Sequence, residues 1–446
     1  MRVMYIAPRY HTNQAAVMRG WKEHGDEVLF VSRSKGFAED YTDITPVMVP
    51  YAGSYQKFEK LYCALKKNDP FAHNIGLRLG YPSGRRIGEM LDSFQPDLVI
   101  LREKSVYSIA CYRQCRLRGI RTLLYNQSPL YEEPGEIHDD AGHCLMDALL
   151  PLPRFTPVRA AAGWTVGEDG RPVQIKTAGE TTGNDGEPVQ IKAAGETAGN
   201  DGEPLQIKAA RSRGESGTDH ITPALQQAVP PVRTQNAWFV PFAAQLTRSP
   251  DRKDYCQGGR IRILDVGKFE RRKNHLLMLD AFAKVQREIP SARLTIAGQV
   301  SDDFHRAYYK EVMAHIAELH LSDTVTVRTN LDRTQMYEEY ARTDLYVLPS
   351  TGEPAAFSPL EAMAESIPAV SGTGNGTADY IVPGECGSIF RDQDEESLVE
   401  AILSVISDPS NIRRMGEGAY ANMQQHYQFS SYYDALMQIP KAHDEH

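Results

Sequence analysis

The 446-residue chain has no uninterrupted apolar run near the roughly 18 residues that a bilayer crossing requires. Its opening, Met1 to Arg9, lacks the apolar stretch of a secretory leader, so a cytoplasmic location is expected. Cysteine is scarce: six residues, at 63, 111, 115, 144, 256 and 386, with no CxxC pair among them. That spacing excludes a zinc framework or a disulfide scaffold and leaves free thiols as the expectation. A basic stripe is missing as well. Lys and Arg number 49 against 58 Asp and Glu, a formal net charge of −9, which argues against a nucleic-acid partner. The one local basic excess lies in 51–90, where seven Lys/Arg (57, 60, 66, 67, 78, 85 and 86) face three acids. A solvated face accounts for it; peripheral contact with anionic lipid headgroups at the inner face of a membrane is the sharper reading.

What is present is ordinary globular material, 41% hydrophobic and 24% charged, in a chain long enough for two domains. A repeat interrupts it. Pro172-Val173-Gln174-Ile175-Lys176 returns at Pro188–Lys192 and, as Pro204-Leu205-Gln206-Ile207-Lys208, a third time, a period of 16 residues. Each unit has too few apolar residues to offset the ordering of its backbone, so 160–222 is expected to be a disordered or weakly β-structured insertion. On both sides, short buried-strand patterns alternate with helical ones. Strands are expected at Val3–Ala7, Glu27–Ser32, Asp97–Leu101 and Thr122–Tyr125, and again at Ile261–Gly267, Arg293–Ala297, Asp344–Leu348 and Pro368–Ser371. This rhythm predicts an α/β chain of two doubly wound, Rossmann-like domains with parallel sheets. The expected boundaries are 1–159 for a first domain, 160–222 for the insertion, and 223–258 for the end of the first domain and a linker. A second domain then spans 259–427 and a C-terminal helix and tail 428–446.

Ligands of such sheets bind beyond the carboxyl ends of the strands, and three loops there carry chemistry. In Gly267-Lys268-Phe269-Glu270-Arg271-Arg272-Lys273-Asn274, four cations precede a helix for which Asn274 is the expected N-cap. Positive charge at a helix start is unfavourable unless an anion is held there, as a phosphate would be; a solvated basic turn is the plain alternative. In the loop after Asp344–Leu348, Glu353 lies among Gly and Pro, where a carboxylate can meet a ligand hydroxyl. Ser358-Pro359-Leu360-Glu361 reads as a helix start in which Glu361 is the capping-box partner of Ser358. The third loop, Ser371 to Thr377, has three glycines that let backbone amides approach an anion. Cations and amides for phosphate, with carboxylates for hydroxyls, suit a sugar diphosphate. His138, Asp139, Asp140 and His143 are read as surface residues rather than metal ligands.

These loops resemble a known family. Glu353, seven residues, then Glu361-Ala362-Met363-Ala364 is similar to the E-x7-E element of retaining GT-B glycosyltransferases of family four, in its EPAxxSPLEAMA form. Gly267-Lys268-Phe269 with Lys273 resembles the family's phosphate-binding turn, and Asn375-Gly376 its N-G pair. The resemblance implies a GT-B fold whose C-terminal helix, after Tyr427, crosses back to the first domain. It implies that Lys268 and Lys273 hold the diphosphate of a nucleotide-sugar, with Arg271 or Arg272 assisting, and that Glu353 faces the donor sugar. Glu361 would bind the ribose, and Ala356, Phe357, Ser358, Gly374, Asn375 and Gly376 would line the donor. His11, Asn13 and Asn126 are the acceptor-side residues, although the first loop lacks the family's Gly-Gly and Asn126-Gln127-Ser128 stands where a histidine is usual. The implied activity is retaining transfer to a glycan, lipid-linked or small-molecule hydroxyl, in surface polysaccharide or glycoconjugate synthesis. No metal and no cofactor is implied beyond the nucleotide-diphosphate-sugar co-substrate. A catalytically weakened sugar-nucleotide-binding subunit is the alternative reading.

Overall fold

The computed structural model describes residues 1–34, 39, 41–65, 79–102, 105–129, 156–161, 164–166, 172–174 and 238–439. The first sheet comprises β1 (Arg2–Arg9), β2 (Glu27–Ser34), β3 (Val47–Met48), β4 (Leu98–Arg102), β5 (Thr122–Pro129), β6 (Thr156–Ala161) and β9 (Trp238–Phe239), in the order β3-β2-β1-β4-β5-β6-β9 and parallel throughout. Val3 to Ala7 are all buried because helices cover both faces of the sheet, which is why β1 reads as a continuous apolar run rather than an alternation. Its helices are α1 (Ala15–Glu23), α2 (Gly53–Leu65), α3 (Gly84–Phe94) and α4 (Val106–Arg116). The expected elements do not include α2 or α3. Helix α2 buries Tyr55 alone and writes no strong stripe, whereas α3 carries one, Ile87, Met90, Leu91 and Phe94, packed against the first domain's core.

The second sheet has strands β10 (Ile261–Val266), β11 (Ala292–Gly298), β12 (Val325–Thr329), β13 (Leu345–Leu348), β14 (Ala369–Gly372) and β15 (Gly387–Phe390), in the order β12-β11-β10-β13-β14-β15 and again parallel. Helices α5 (His275–Glu288), α6 (Asp303–Glu318), α7 (Arg333–Arg342), α8 (Ser358–Ala364), α9 (Glu395–Ile406) and α10 (Pro409–His426) pack around it. Aspartates set several of their starts. Asp302, Asp332, Asp394 and Asp408 each accept a backbone N–H of the first turn, and Asp332 with Gln335 forms a full capping box.

The insertion is not wholly without structure. β7 (Trp164–Val166) pairs antiparallel with β8 (Pro172–Gln174), so the first copy of the repeat begins as a strand whose backbone groups find partners. Strand β6 also extends to Ala161, past the expected boundary at 159. The second and third copies of the repeat, the His138–His143 cluster and Cys144 lie outside the described residues.

The two sheets share one apolar core, in which Tyr5, Trp21 and Tyr125 meet Leu264, Tyr346 and Met363. Val240 to Ala244 runs between them: Tyr125 Oη donates to the Val240 carbonyl (3.1 Å), and the Phe242 N–H donates to Tyr380 Oη (2.8 Å). The C-terminal helix α11 (Phe429–Met437) returns to the first domain, as the family resemblance implies. Phe429 lies edge-on to Trp21 at 5.2 Å, and the Tyr5 and Tyr432 hydroxyls are 2.8 Å apart. No described helix is long and apolar enough to cross a membrane.

Candidate active site

In the second sheet the strand order reverses between β10 and β13, and the loops leaving these two strands form the edge where a ligand can enter. After β10, Arg271–Lys273 make a single 3-10 turn. Asn274 follows in the left-handed region (φ 58°), and its side chain makes no capping bond. Asn274 is the N-cap, as expected, but without the side-chain bond: a left-handed residue, which Asn tolerates, reverses the chain here, and its carbonyl alone joins α5, accepting from Met278 N–H (3.2 Å). The turn delivers Lys273 inward. Its stem lies against Gly267, where a Cβ would sit 2.9 Å from Lys273 Cδ.

The loop after β13 is stitched to this turn by the Thr351 N–H, which donates to the Arg272 carbonyl (2.9 Å). Next in line, the buried Glu353 carboxylate accepts from both the Arg272 guanidinium and the Lys273 ammonium. Arg272 also pairs with Glu270 at 2.7 Å. The glycine loop closes the cluster. Gly376 N–H donates to the Glu353 carbonyl (3.1 Å), Thr377 Oγ1 donates to the Ala356 carbonyl (2.7 Å), and Thr377 N–H donates to Asn375 Oδ1 (3.0 Å). Asn375 Nδ2 is buried without a partner. Gly374 is required by close approach, since a Cβ there would lie 2.6 Å from the Asp392 carboxyl carbon. Asp392, which sequence reasoning missed, accepts from the Thr351 hydroxyl at 2.7 Å and so ties the carboxylate loop to the strand that follows the glycine loop.

The capping-box reading of Glu361 is corrected. Ser358 is the first residue of α8 rather than its cap, and its Oγ accepts from Tyr346 Oη (2.6 Å). Glu361 instead accepts from Tyr340 Oη (3.0 Å). It is partly exposed but densely surrounded, and that desolvation pushes its carboxyl above the ordinary range against the opposing effects of Tyr340 and Arg333. Arg271 is not brought to Glu353: it pairs with Glu311 at 2.9 Å, with its guanidinium over the Tyr308 ring. Phe357 packs edge-on against Phe242 of the interdomain segment, 5.6 Å between rings. Lys268 is exposed, and its charge reaches His11 of the first domain.

That first domain offers its own switch point, between β1 and β4. His11 Nδ1 lies 3.2 Å from Arg9 Nη2 and 3.6 Å from Glu39. Burial, then the Arg9 charge, lower His11 to about 4, so it is neutral at physiological pH. Asn13 Oδ1 and Gln14 Nε2 are buried without partners beside a small cavity lined by Tyr5, Arg102, Tyr125 and Tyr432. Arg102, at the end of β4 and stacked 4.7 Å over Tyr125, was not anticipated from sequence; its position closing a buried strand at the switch point is the signal that finds it. Asn126 lies in β5 opposite Arg159 of β6, and its side chain is outside the described set.

Residues 250–422 match the family described as glycosyl transferases group 1. Across 169 residues the chain is 28% identical to the lipopolysaccharide core biosynthesis mannosyltransferase LpcC of Rhizobium leguminosarum bv. viciae, covering 38% of this chain and 47% of that protein. Across 201 residues it is 27% identical to glycogen synthase of Mycobacterium tuberculosis, covering 45% and 44%. The chain thus spans about half the length of these curated relatives. Among solved structures, Anabaena HepE in complex with UDP superposes over 98% of this chain and 99% of its own with a TM-score of 0.62 at 11% identity, a likeness of fold. On a two-domain GT-B fold, residues 250–422 form a domain of the glycosyl transferases group 1 family.

Proposed function

We propose that the chain is a retaining glycosyltransferase that moves a sugar from a nucleotide-diphosphate-sugar to an acceptor hydroxyl in surface polysaccharide or glycoconjugate assembly. The observation that carries this reading is the meeting of Glu353 with Arg272 and Lys273 beside the Asn375-Gly376 loop, at a sheet switch point facing the first domain. The matched family and the sugar-transferring relatives support it. In the reaction the bond between the sugar's anomeric carbon and the diphosphate breaks. The acceptor oxygen bonds the same carbon on the same face, and the acceptor proton passes to the departing phosphate. Lys268, Lys273 and Arg272 offset the charge that grows on that diphosphate, in place of a metal ion. Glu353 receives a sugar hydroxyl and Glu361 the ribose hydroxyls, while His11 and Asn13 face the acceptor.

A thermal-shift screen with UDP, GDP, ADP and their common sugars tests this reading. At one hundred times its dissociation constant the right ligand stabilises by about 2.7 kcal/mol. The shift is expected with one base, to survive a chelator, and to vanish in Glu361→Ala. No shift with any nucleotide would favour a degenerate site.

The raised carboxyl of Glu361 gives nucleotide binding a pH dependence. As pH falls through that value the carboxylate gains a proton and loses an acceptor, so affinity weakens at a higher pH than an ordinary glutamate would give. The linked stability runs oppositely: the folded chain binds more protons than the unfolded one here, so this group's contribution falls as pH rises through the window. Calorimetric titrations from pH 4 to 8 should show the acid loss in the wild type and a flat profile in Glu361→Gln.

Peripheral membrane contact through 51–90 belongs to the same proposal. Helix α2 leaves Phe58, Leu61 and Leu65 exposed, 45%, 61% and 74%, at helical spacing beside Lys57 and Lys60. Each lysine near an anionic surface contributes about 1 kcal/mol. Lys57→Glu with Lys60→Glu should abolish salt-sensitive cosedimentation with phosphatidylglycerol vesicles; unchanged pelleting removes the membrane role.

A further inference from the structure

Beneath the basic turn lies a buried pair that the proposed reaction does not use. Asp265 is on β10, and His275 is the first residue of α5; they are 1% and 0% exposed. His275 Nδ1 is 2.7 Å from Asp265 Oδ2, and its Nε2 is 3.2 Å from the Lys268 carbonyl oxygen. Each neighbour offers an oxygen to a ring nitrogen, so the ring bridges the carboxylate and the loop carbonyl. The ring is itself fixed, with Phe269 at 5.1 Å on one side and Tyr308 at 6.1 Å on another. The turn has little freedom elsewhere. The Phe269 N–H donates to the Gln299 carbonyl (3.2 Å), and a Cβ on Gly298 would lie 2.2 Å from the Gly267 carbonyl oxygen.

We infer that His275, oriented by Asp265, is a positioning residue that fixes the main chain of Lys268 and thereby the cationic turn for a diphosphate. This rests on the donor reading proposed above. Lys268 is exposed and its side chain is long, so its charge is well placed only if its backbone is held. The Lys268 carbonyl also accepts from the Glu270 N–H (2.8 Å) within the turn, whereas the contact from His275 reaches it from the sheet's centre, where β10 is paired on both sides. A buried histidine bridging a carboxylate and a loop carbonyl transfers the rigidity of the strand to the loop, as outer-shell carboxylate–histidine pairs do for metal ligands.

The test uses the full chain and compares UDP, GDP and ADP with UMP, GMP and AMP by calorimetric titration, taking the base that binds. His275→Gln keeps an amide near the Nε2 position, whereas His275→Asn keeps one only near Nδ1. The expected result is that Asn lowers diphosphate affinity about tenfold while monophosphate affinity changes little, and that Gln restores most of the loss. Both variants will lower the melting temperature, which a merely structural role would also do; the diphosphate-to-monophosphate ratio is the deciding readout. An unchanged ratio in both variants, or an equal loss in both, overturns the inference. If His275→Asn does not fold, Asp265→Asn decides by the same ratio, which should fall because the ring loses its orienting carboxylate; a wild-type ratio there overturns the inference too. A wild type that binds no nucleotide shows in the first titration and removes the donor reading itself.

Discussion

Lys273→Met is expected to lower kcat about 10²- to 10³-fold, with a smaller change in the affinity for the free nucleotide. Lys273 is buried, and its ammonium shares the Glu353 carboxylate with Arg272. Before donor arrives, that carboxylate neutralises the two cations. When a diphosphate enters, its oxygens compete for the same donors, and the charge that develops on the leaving group strengthens their hold in the transition state. Removing Lys273 takes away an inward-facing cation where charge grows, while Arg272 keeps Glu353 from being left as an unpaired buried charge. Arg272→Met should cost less, because that side chain is half-exposed and already shared with Glu270. Steady-state turnover of the nucleotide-sugar identified by thermal shift measures both. A Lys273→Met enzyme within threefold of wild type would place the departing charge elsewhere.

Tyr432→Ala should produce the largest loss of stability, about 3–5 kcal/mol by the usual cost of deleting a buried aromatic ring. Tyr432 joins α11 to the first domain. Its hydroxyl meets that of Tyr5, which also accepts from Trp21 Nε1 at 2.8 Å, and its ring lies 6.1 Å from that of Tyr125. Gly20 in α1 exists for the same contact, since a Cβ there would fall 2.0 Å from the Phe429 ring. Tyr432→Phe keeps the ring and the Trp21–Tyr5 bond, so its cost should be about 1 kcal/mol. Differential scanning calorimetry of the two variants reads the difference directly. An alanine variant as stable as the phenylalanine variant would show that the returning helix is held by its other contacts.

The strands were legible wherever both faces of a sheet are covered. Residues 3–7 and 345–348 are then apolar throughout, and 261–266 is broken only by Arg262 and Asp265, so the run survives in the one-dimensional sequence. Their alternation with helices determined two parallel sheets, and the chemistry of the loops between them determined where a sugar diphosphate would be sought. Helices α2 and α7 left little trace because each buries only one or two side chains, whereas the apolar stripe of α3, Ile87, Met90, Leu91 and Phe94, was legible. Local rules misplaced Ser358 and Glu361 for one reason. Capping preferences assume that nothing competes for the side chain, and here Tyr346 and Tyr340, distant in sequence, reach Ser358 and Glu361 first. Charge and spacing do not tell which of the four cations faces inward, since Arg271, Arg272 and Lys273 are adjacent and alike in charge; only the family resemblance singled out Lys273. Only the reversal at Asn274, with Thr351 N–H bound to the Arg272 carbonyl, turns Lys273 and Arg272 toward Glu353 and leaves Arg271 to Glu311. Residue types and their spacing determined the kind of site. The direction of each side chain was decided by contacts across the fold, such as that of Arg272 with Glu353, 81 residues apart, which no local pattern encodes.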